Sequence, residues 1–334
     1  MSYEQIGASI WLKDDQKGLI PQIDTVILDI DGVILDVSSS FRVAISQTVQ
    51  LYLTRERGFG GDSVLILPSE SQLFKQAGGF NNDWDLTRAV ILFYLTKAEL
   101  LQTDHTAILR ENGQSLVDFT TGVGRAGGGL HGVMAVLFPL LSKEQRQRVE
   151  KGCDRVRIEE LFQELYGGVD YCKRLYGHKP KFNKRSGLLN EEKVMLDQSI
   201  LIDFIPKVGI LTGRTKKETE VGLEKAGLKG IIPWKHIIFD TGESPEMRKP
   251  RPGSLLDLAE TLEAKVALYV GDVMDDLLTV KNANLERTAT AVFLSAIIVS
   301  PLRRDYAELF RKEGADIVSL DVNKALKELI ARRR

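Results

Sequence analysis

The sequence predicts an α/β fold: a doubly wound, mostly parallel sheet carrying an inserted all-helical domain. Two observations carry this. Short apolar runs that end in polar or acidic residues occur at residues 25–29 and again, alternating with helical stretches, from Val208 onward. Between them, residues 38–195 are mostly of helical pattern. The predicted organisation is therefore a core built from residues 1–37 and 196–334, with a helical cap at 38–195.

Taken in order, residues 1–24 are polar and glycine-containing and read as an outer extension. The run Val26-Ile27-Leu28 enters Asp29-Ile30-Asp31-Gly32, as a strand buried on both faces enters a turn. Open α/β sheets place ligands at such carboxyl ends. Two acids there are costly to hold ionised unless a cation or a donor compensates them. Ser38-Ser39-Ser40 offers N-cap chemistry for a helix over 41–53. Further helices are predicted over 86–101, 130–141 and 143–166, the last with Val149, Val156, Leu161, Phe162 and Leu165 as a buried stripe. Residues 176–190 read as a linker.

Two glycine-bearing loops, 78–84 and 122–129, punctuate the cap. The second contains Gly122-Val123-Gly124-Arg125-Ala126-Gly127, a GxGxxG spacing after a possible strand at 116–119. No second strand follows, so a dinucleotide site is disfavoured, and a flexible cap loop is the expectation. Strands then follow at 208–211, 237–239, 266–270, 290–294 and 316–320, with helices over 216–226 and 254–263. Pro245, Lys249, Pro250 and Pro252 fall in the loop before the second of these helices.

Bulk properties exclude several classes. The chain of 334 residues has 45 basic and 46 acidic side chains, a formal net charge of −1. No global field favours nucleic acid or a membrane surface. Two cysteines without CxxC spacing, Cys153 and Cys172, suggest reduced structural thiols. Neither a signal peptide nor a membrane-spanning stretch is visible in the pattern, so a cytoplasmic location is expected.

Polar groups end three predicted core strands: Asp29 and Asp31, Thr212, and Asp272 with Asp275 and Asp276. Lys249 lies in a loop between the latter two. A parallel sheet brings such ends to one edge. Carboxylates with a lysine and a hydroxyl suit Mg²⁺ and a phosphate, and a carboxylate can attack phosphorus to give an aspartyl-phosphate.

These segments resemble the four motifs of the haloacid dehalogenase superfamily: Asp29-Ile30-Asp31-Gly32-Val33, Thr212-Gly213-Arg214, Lys249-Pro250-Arg251-Pro252 and Gly271-Asp272-Val273-Met274-Asp275-Asp276. Their order is similar to the phosphoglycolate phosphatase-like branch, whose helical cap lies between motifs one and two. The resemblance implies a HAD-like Rossmannoid core and assigns roles. Asp29 would be the nucleophile. Asp31 would move protons, and its main-chain carbonyl would bind Mg²⁺. Thr212 would bond the phosphoryl group, Lys249 would offset charge, and Asp272 and Asp276 would complete the metal acids. Gly213, Arg214, Asn82 and Arg125 would contact substrate.

The expected activity is Mg²⁺-dependent hydrolysis of a small phosphomonoester. A phosphomutase of β-phosphoglucomutase type and a non-catalytic phosphoacceptor or binding protein are the alternatives. The cap is longer than in familiar members, which leaves the substrate open.

Overall fold

The structure, a computed structural model, describes residues 2–241, 247–286, 290–301 and 304–333. Pro245 lies outside the described residues. The chain divides into two compact units, Met1–Asp36 with Lys193–Arg334, and Val37–Glu192.

The first unit opens with β1 (Tyr3–Gly7), β2 (Ile10–Lys13), β3 (Thr25–Leu28) and β4 (Leu35–Asp36). The second contains α1 (Phe41–Leu51), α2 (Ser71–Ala77), α3 (Asp83–Leu101), α4 (Thr106–Glu111), α5 (Leu116–Arg125), α6 (Gly129–Leu137), α7 (Lys143–Gly152) and α8 (Arg155–Tyr176). The first unit resumes with β5 (Lys193–Val194), β6 (Val208–Leu211), α9 (Lys216–Lys225), β7 (Ile237–Ile238), α10 (Gly253–Thr261) and β8 (Val266–Gly271). It continues through α11 (Met274–Leu285), β9 (Val292–Ile298), α12 (Asp305–Lys312), β10 (Ile317–Ser319) and α13 (Val322–Arg333).

Its main sheet has the order β1-β2-β10-β9-β8-β3-β6-β7. From β10 to β7 all pairs are parallel, and β1 and β2 add on antiparallel. The N-terminal segment is thus part of the sheet and not an outer extension, as its composition suggested. The alternation of Ile10 and Leu12, buried, with Trp11 and Lys13, half-buried, is the strand signal that the surrounding charges obscured.

All four residues of β3 are buried, as a strand covered on both sheet faces requires. One cluster joins Ile27, Tyr269 and Phe293 to Leu255, Leu258 and Leu262 of the α10 segment. A second joins Ile297 and Val318 to Tyr306 and Phe310 of α12. Each large side chain buried this way contributes about 1.5–3 kcal/mol. The register sets Leu28 beside Ile210 and Val270, so the residues after these three strands emerge together at one edge.

In the inserted unit, residues 116–119 are helical rather than a strand, since they open α5. Ser115 caps that helix by accepting from the Asp118 N–H. The GxGxxG glycines therefore end a helix, and no βαβ unit surrounds them. The two glycine-bearing loops meet each other. Gly129 N donates to Gly78 O at 2.9 Å, and a Cβ on Gly79 would lie 2.7 Å from Gly129 N. Bare backbone there permits close packing of two chain segments.

The predicted helix over 143–166 breaks at Cys153. Asp154 caps the new helix α8 by accepting from Arg157 N, which turns Val156 outward, 66% exposed; Leu161, Phe162 and Leu165 are buried as expected. The segment read as a linker is anchored: the buried Glu164 carboxylate accepts from the N–H groups of Phe182 and Asn183.

Candidate active site

Two tight turns bring the acids together. After β3 the chain folds back through Gly32, whose N–H donates to Leu35 O at 2.8 Å. Gly32 has φ +71°, and a Cβ there would lie 2.2 Å from Asp272 Oδ2. Only glycine satisfies both the conformation and the space. Gly271 meets the limit of space alone, because its Cβ would fall 2.3 Å from the Asp276 carboxyl carbon.

Asp29, Asp272 and Asp276 each present a carboxylate oxygen within 4.8 Å of the others. Lys249 is buried among them. Its Nζ donates to Asp29 Oδ2 at 2.6 Å, Asp276 Oδ1 at 2.7 Å and the Tyr269 hydroxyl at 3.2 Å. An ammonium has three protons, and each has an acceptor. Asp276 takes four donors: Lys249 and Tyr269 Oη on Oδ1, and the N–H groups of Asp272 and Val273 on Oδ2. Asp276, rather than Asp275, makes the contact with Lys249.

Burial pushes the Asp29 carboxyl up to about 6, with Asp276 and Asp31 adding to the rise and Lys249 opposing it. Burial alone would lower Lys249, but Asp276 and Asp29 more than reverse this and hold it well above the ordinary lysine value. The Tyr269 hydroxyl is driven well above its usual range by burial and then by Asp276. The cluster thus shares one buried ammonium between two carboxylates and sets the Asp272 carboxylate beside them. Asp29 and Asp272, with oxygens close together, have the hard donor set that Mg²⁺ takes.

Thr212 is buried at the end of β6, where its N–H donates to Ile238 O and its Oγ1 accepts from Arg214 N at 3.2 Å. Gly213 lies between them. The Arg214 side chain is 1% exposed and pairs with Asp31, whose side chain is 28% exposed. Asn82 and Arg125 belong to the inserted unit. Asn82 Oδ1 accepts from Trp84 N at 2.8 Å and caps α3, and Arg125 is an exposed residue in the last turn of α5.

Two residues of this cluster were not singled out from sequence. Tyr269 reads there as one more core residue of a buried run; its one signal is being the only hydroxyl in Val266–Gly271. Gly222 is an interior glycine of α9, where a Cβ would stand 3.1 Å from Arg214 Nη1.

No protein-family model matches the chain. A curated sequence, imidazoleglycerol-phosphate dehydratase of Phytophthora nicotianae, is 24% identical over 265 residues, which cover 78% of this chain and 42% of that protein. The chain thus spans less than half the length of the curated relative it matches. Among solved structures, Phosphatase Tt82 from Thermococcus thioreducens is 19% identical with a TM-score of 0.54, covering 92% of this chain and 98% of that one. A provisionally named phosphoglycolate phosphatase from Lactobacillus delbrueckii is 12% identical with a TM-score of 0.52, at the same coverages of 92% and 98%. These likenesses show the fold: the chain has the haloacid dehalogenase-like α/β fold.

Proposed function

We propose that this chain is a phosphatase that hydrolyses a small phosphomonoester through an aspartyl-phosphate on Asp29. The observation that carries the reading is the buried Lys249 ammonium shared between Asp29 and Asp276 at 2.6 and 2.7 Å. Phosphoryl transfer needs mainly positioning and charge neutralisation around one nucleophile, and this cluster supplies both.

Asp29 attacks phosphorus as the ester P–O bond breaks, and Asp31 gives its proton to the departing oxygen. A water then attacks the aspartyl-phosphate, its proton goes to Asp31, and inorganic phosphate leaves with Asp29 restored. Proton transfer of this kind is worth about two to four orders of magnitude in rate. Lys249 holds the Asp29 carboxylate in place, while Asp276 holds Lys249 and the turn at Asp272 and Val273. Thr212 offers its hydroxyl to the phosphoryl group. Asp29, Asp272 and the Asp31 carbonyl would hold Mg²⁺, which would supply positive charge for the phosphoryl oxygens.

The substrate is proposed to be a small phosphorylated metabolite. The Phytophthora relative is named for imidazoleglycerol phosphate, so imidazole-bearing phosphomonoesters head the panel, followed by phosphoglycolate and sugar phosphates. The test is inorganic phosphate release with Mg²⁺ and with chelator. Release that depends on metal and vanishes in Asp29→Asn, with the circular dichroism spectrum unchanged, is the expected result. Silence across the panel, or loss of water rather than phosphate from imidazoleglycerol phosphate, would overturn the reading.

A further inference from the structure

We infer that Arg214 is a positioning residue that aims the Asp31 carboxyl, and that it makes no contact with substrate. The inference rests on the phosphatase reading above, in which Asp31 moves the proton. Arg214 Nε and Nη2 both donate to one oxygen, Asp31 Oδ1, at 2.9 and 2.6 Å. Two donors from a rigid planar fork on a single oxygen fix the carboxyl group's rotation. They also engage Oδ1 and leave Oδ2 as the oxygen that serves the leaving group. The atom that serves the leaving oxygen is thereby chosen by Arg214.

The arginine is itself held from several sides. Its backbone N–H donates to Thr212 Oγ1 at 3.2 Å and its carbonyl accepts from Asp240 N at 2.9 Å. The guanidinium passes α9 at Gly222, where a Cβ would come within 3.1 Å of Nη1. An interior helical glycine is a poorer helix former than alanine, and at this position it leaves room for the guanidinium. With 1% of its side chain exposed against 28% for Asp31, Arg214 presents the acid outward and stays behind it.

The experiment compares two esters with the full chain and Mg²⁺, reading bond cleavage in single turnover and KM and kcat at steady state. An alkyl phosphate expels an alkoxide that needs a proton, whereas p-nitrophenyl phosphate expels a stable phenolate that does not. Arg214→Met should slow cleavage of the alkyl ester about 100-fold and p-nitrophenolate release less than about threefold, with KM unchanged; Arg214→Lys should recover part of the loss. Gly222→Ala, which keeps the charge and crowds the fork, should show the same pattern at smaller size and serves if Arg214→Met does not fold. Equal losses on both esters would overturn the positioning role, as would a raised KM with intact kcat, the mark of a substrate contact. A parent chain inactive on both esters would instead defeat the phosphatase reading, and this inference with it.

Discussion

Each unit of the molecule buries a lysine, and the two lysines have opposite fates. Lys249 in the first unit and Lys97 in the second are 4% and 6% exposed. Lys249 has an acceptor for each proton, two of them carboxylates, and stays charged well beyond the ordinary range. Lys97 donates to the Gln114 carbonyl at 3.1 Å and lies 5.2 and 5.8 Å from the rings of Phe93 and Tyr94. Burial, with Arg110 adding to it, lowers Lys97 to about 8. Burial alone works against a lysine's charge, and only nearby carboxylates overturn it. The first lysine is thus an electrostatic partner of acids that would otherwise repel, while the second is a packed side chain that tolerates its charge.

That contrast sets the expected effects of substitution. Lys249→Met should do the most damage, because it leaves Asp29 and Asp276 buried without their cation. Loss of one partner from a buried pair costs about 3–5 kcal/mol, to be read from denaturant unfolding. Phosphate release should fall at least about 100-fold, the usual consequence of deleting one charge-stabilising donor. If Lys249→Met unfolds like the parent, the lysine does not hold the acids.

Tyr269→Phe keeps the ring and removes only the hydroxyl that accepts from Lys249 and donates to Asp276. A net hydrogen bond of about 1 kcal/mol corresponds to a drop in kcat of about fivefold. An unchanged kcat would make the tyrosine a filler.

Lys97→Met should move stability the other way, raising it by roughly 1 kcal/mol at pH 7. The folded-state value near 8 lies below the unfolded value near 10.5. The parent therefore bears the full penalty below pH 8 and sheds it as pH rises between those two values, and the variant's advantage should shrink over that range. A constant or growing advantage would break the comparison.

The parallel strands of the first unit were legible in the sequence because their signals are local, whereas β1 and β2 were not. Apolar runs that end in Asp29, Thr212 and Asp272 identify strands buried on both faces, and parallel register does the rest. Asp29 and Asp276 meet because β3 and β8 are neighbours, and Lys249, which follows β7, bridges them. What local pattern does not carry is partnership across the chain. Tyr269 counts as core until Lys249 is found against it. The fork of Arg214 on Asp31 is a second such partnership. In the inserted unit, helical periodicity located most elements, but Gly122–Gly129 offered a motif whose meaning depends on flanking strands that are absent among the described residues. Val156 fits a helical stripe that ends one turn too early, because Asp154 caps a new helix.

The sheet's two edges carry a consequence for the protein's behaviour at high concentration. On one side β7 is two residues long. On the other, the antiparallel pair β1 and β2 covers β10 and ends in a strand whose Glu4 and Gln5 face solvent. Unpaired strand edges template edge-to-edge aggregation, and short or polar edges suppress it. A parallel sheet with so apolar a centre can therefore remain dispersed, with its open hydrogen-bonding rows either too short or too hydrophilic to recruit another chain.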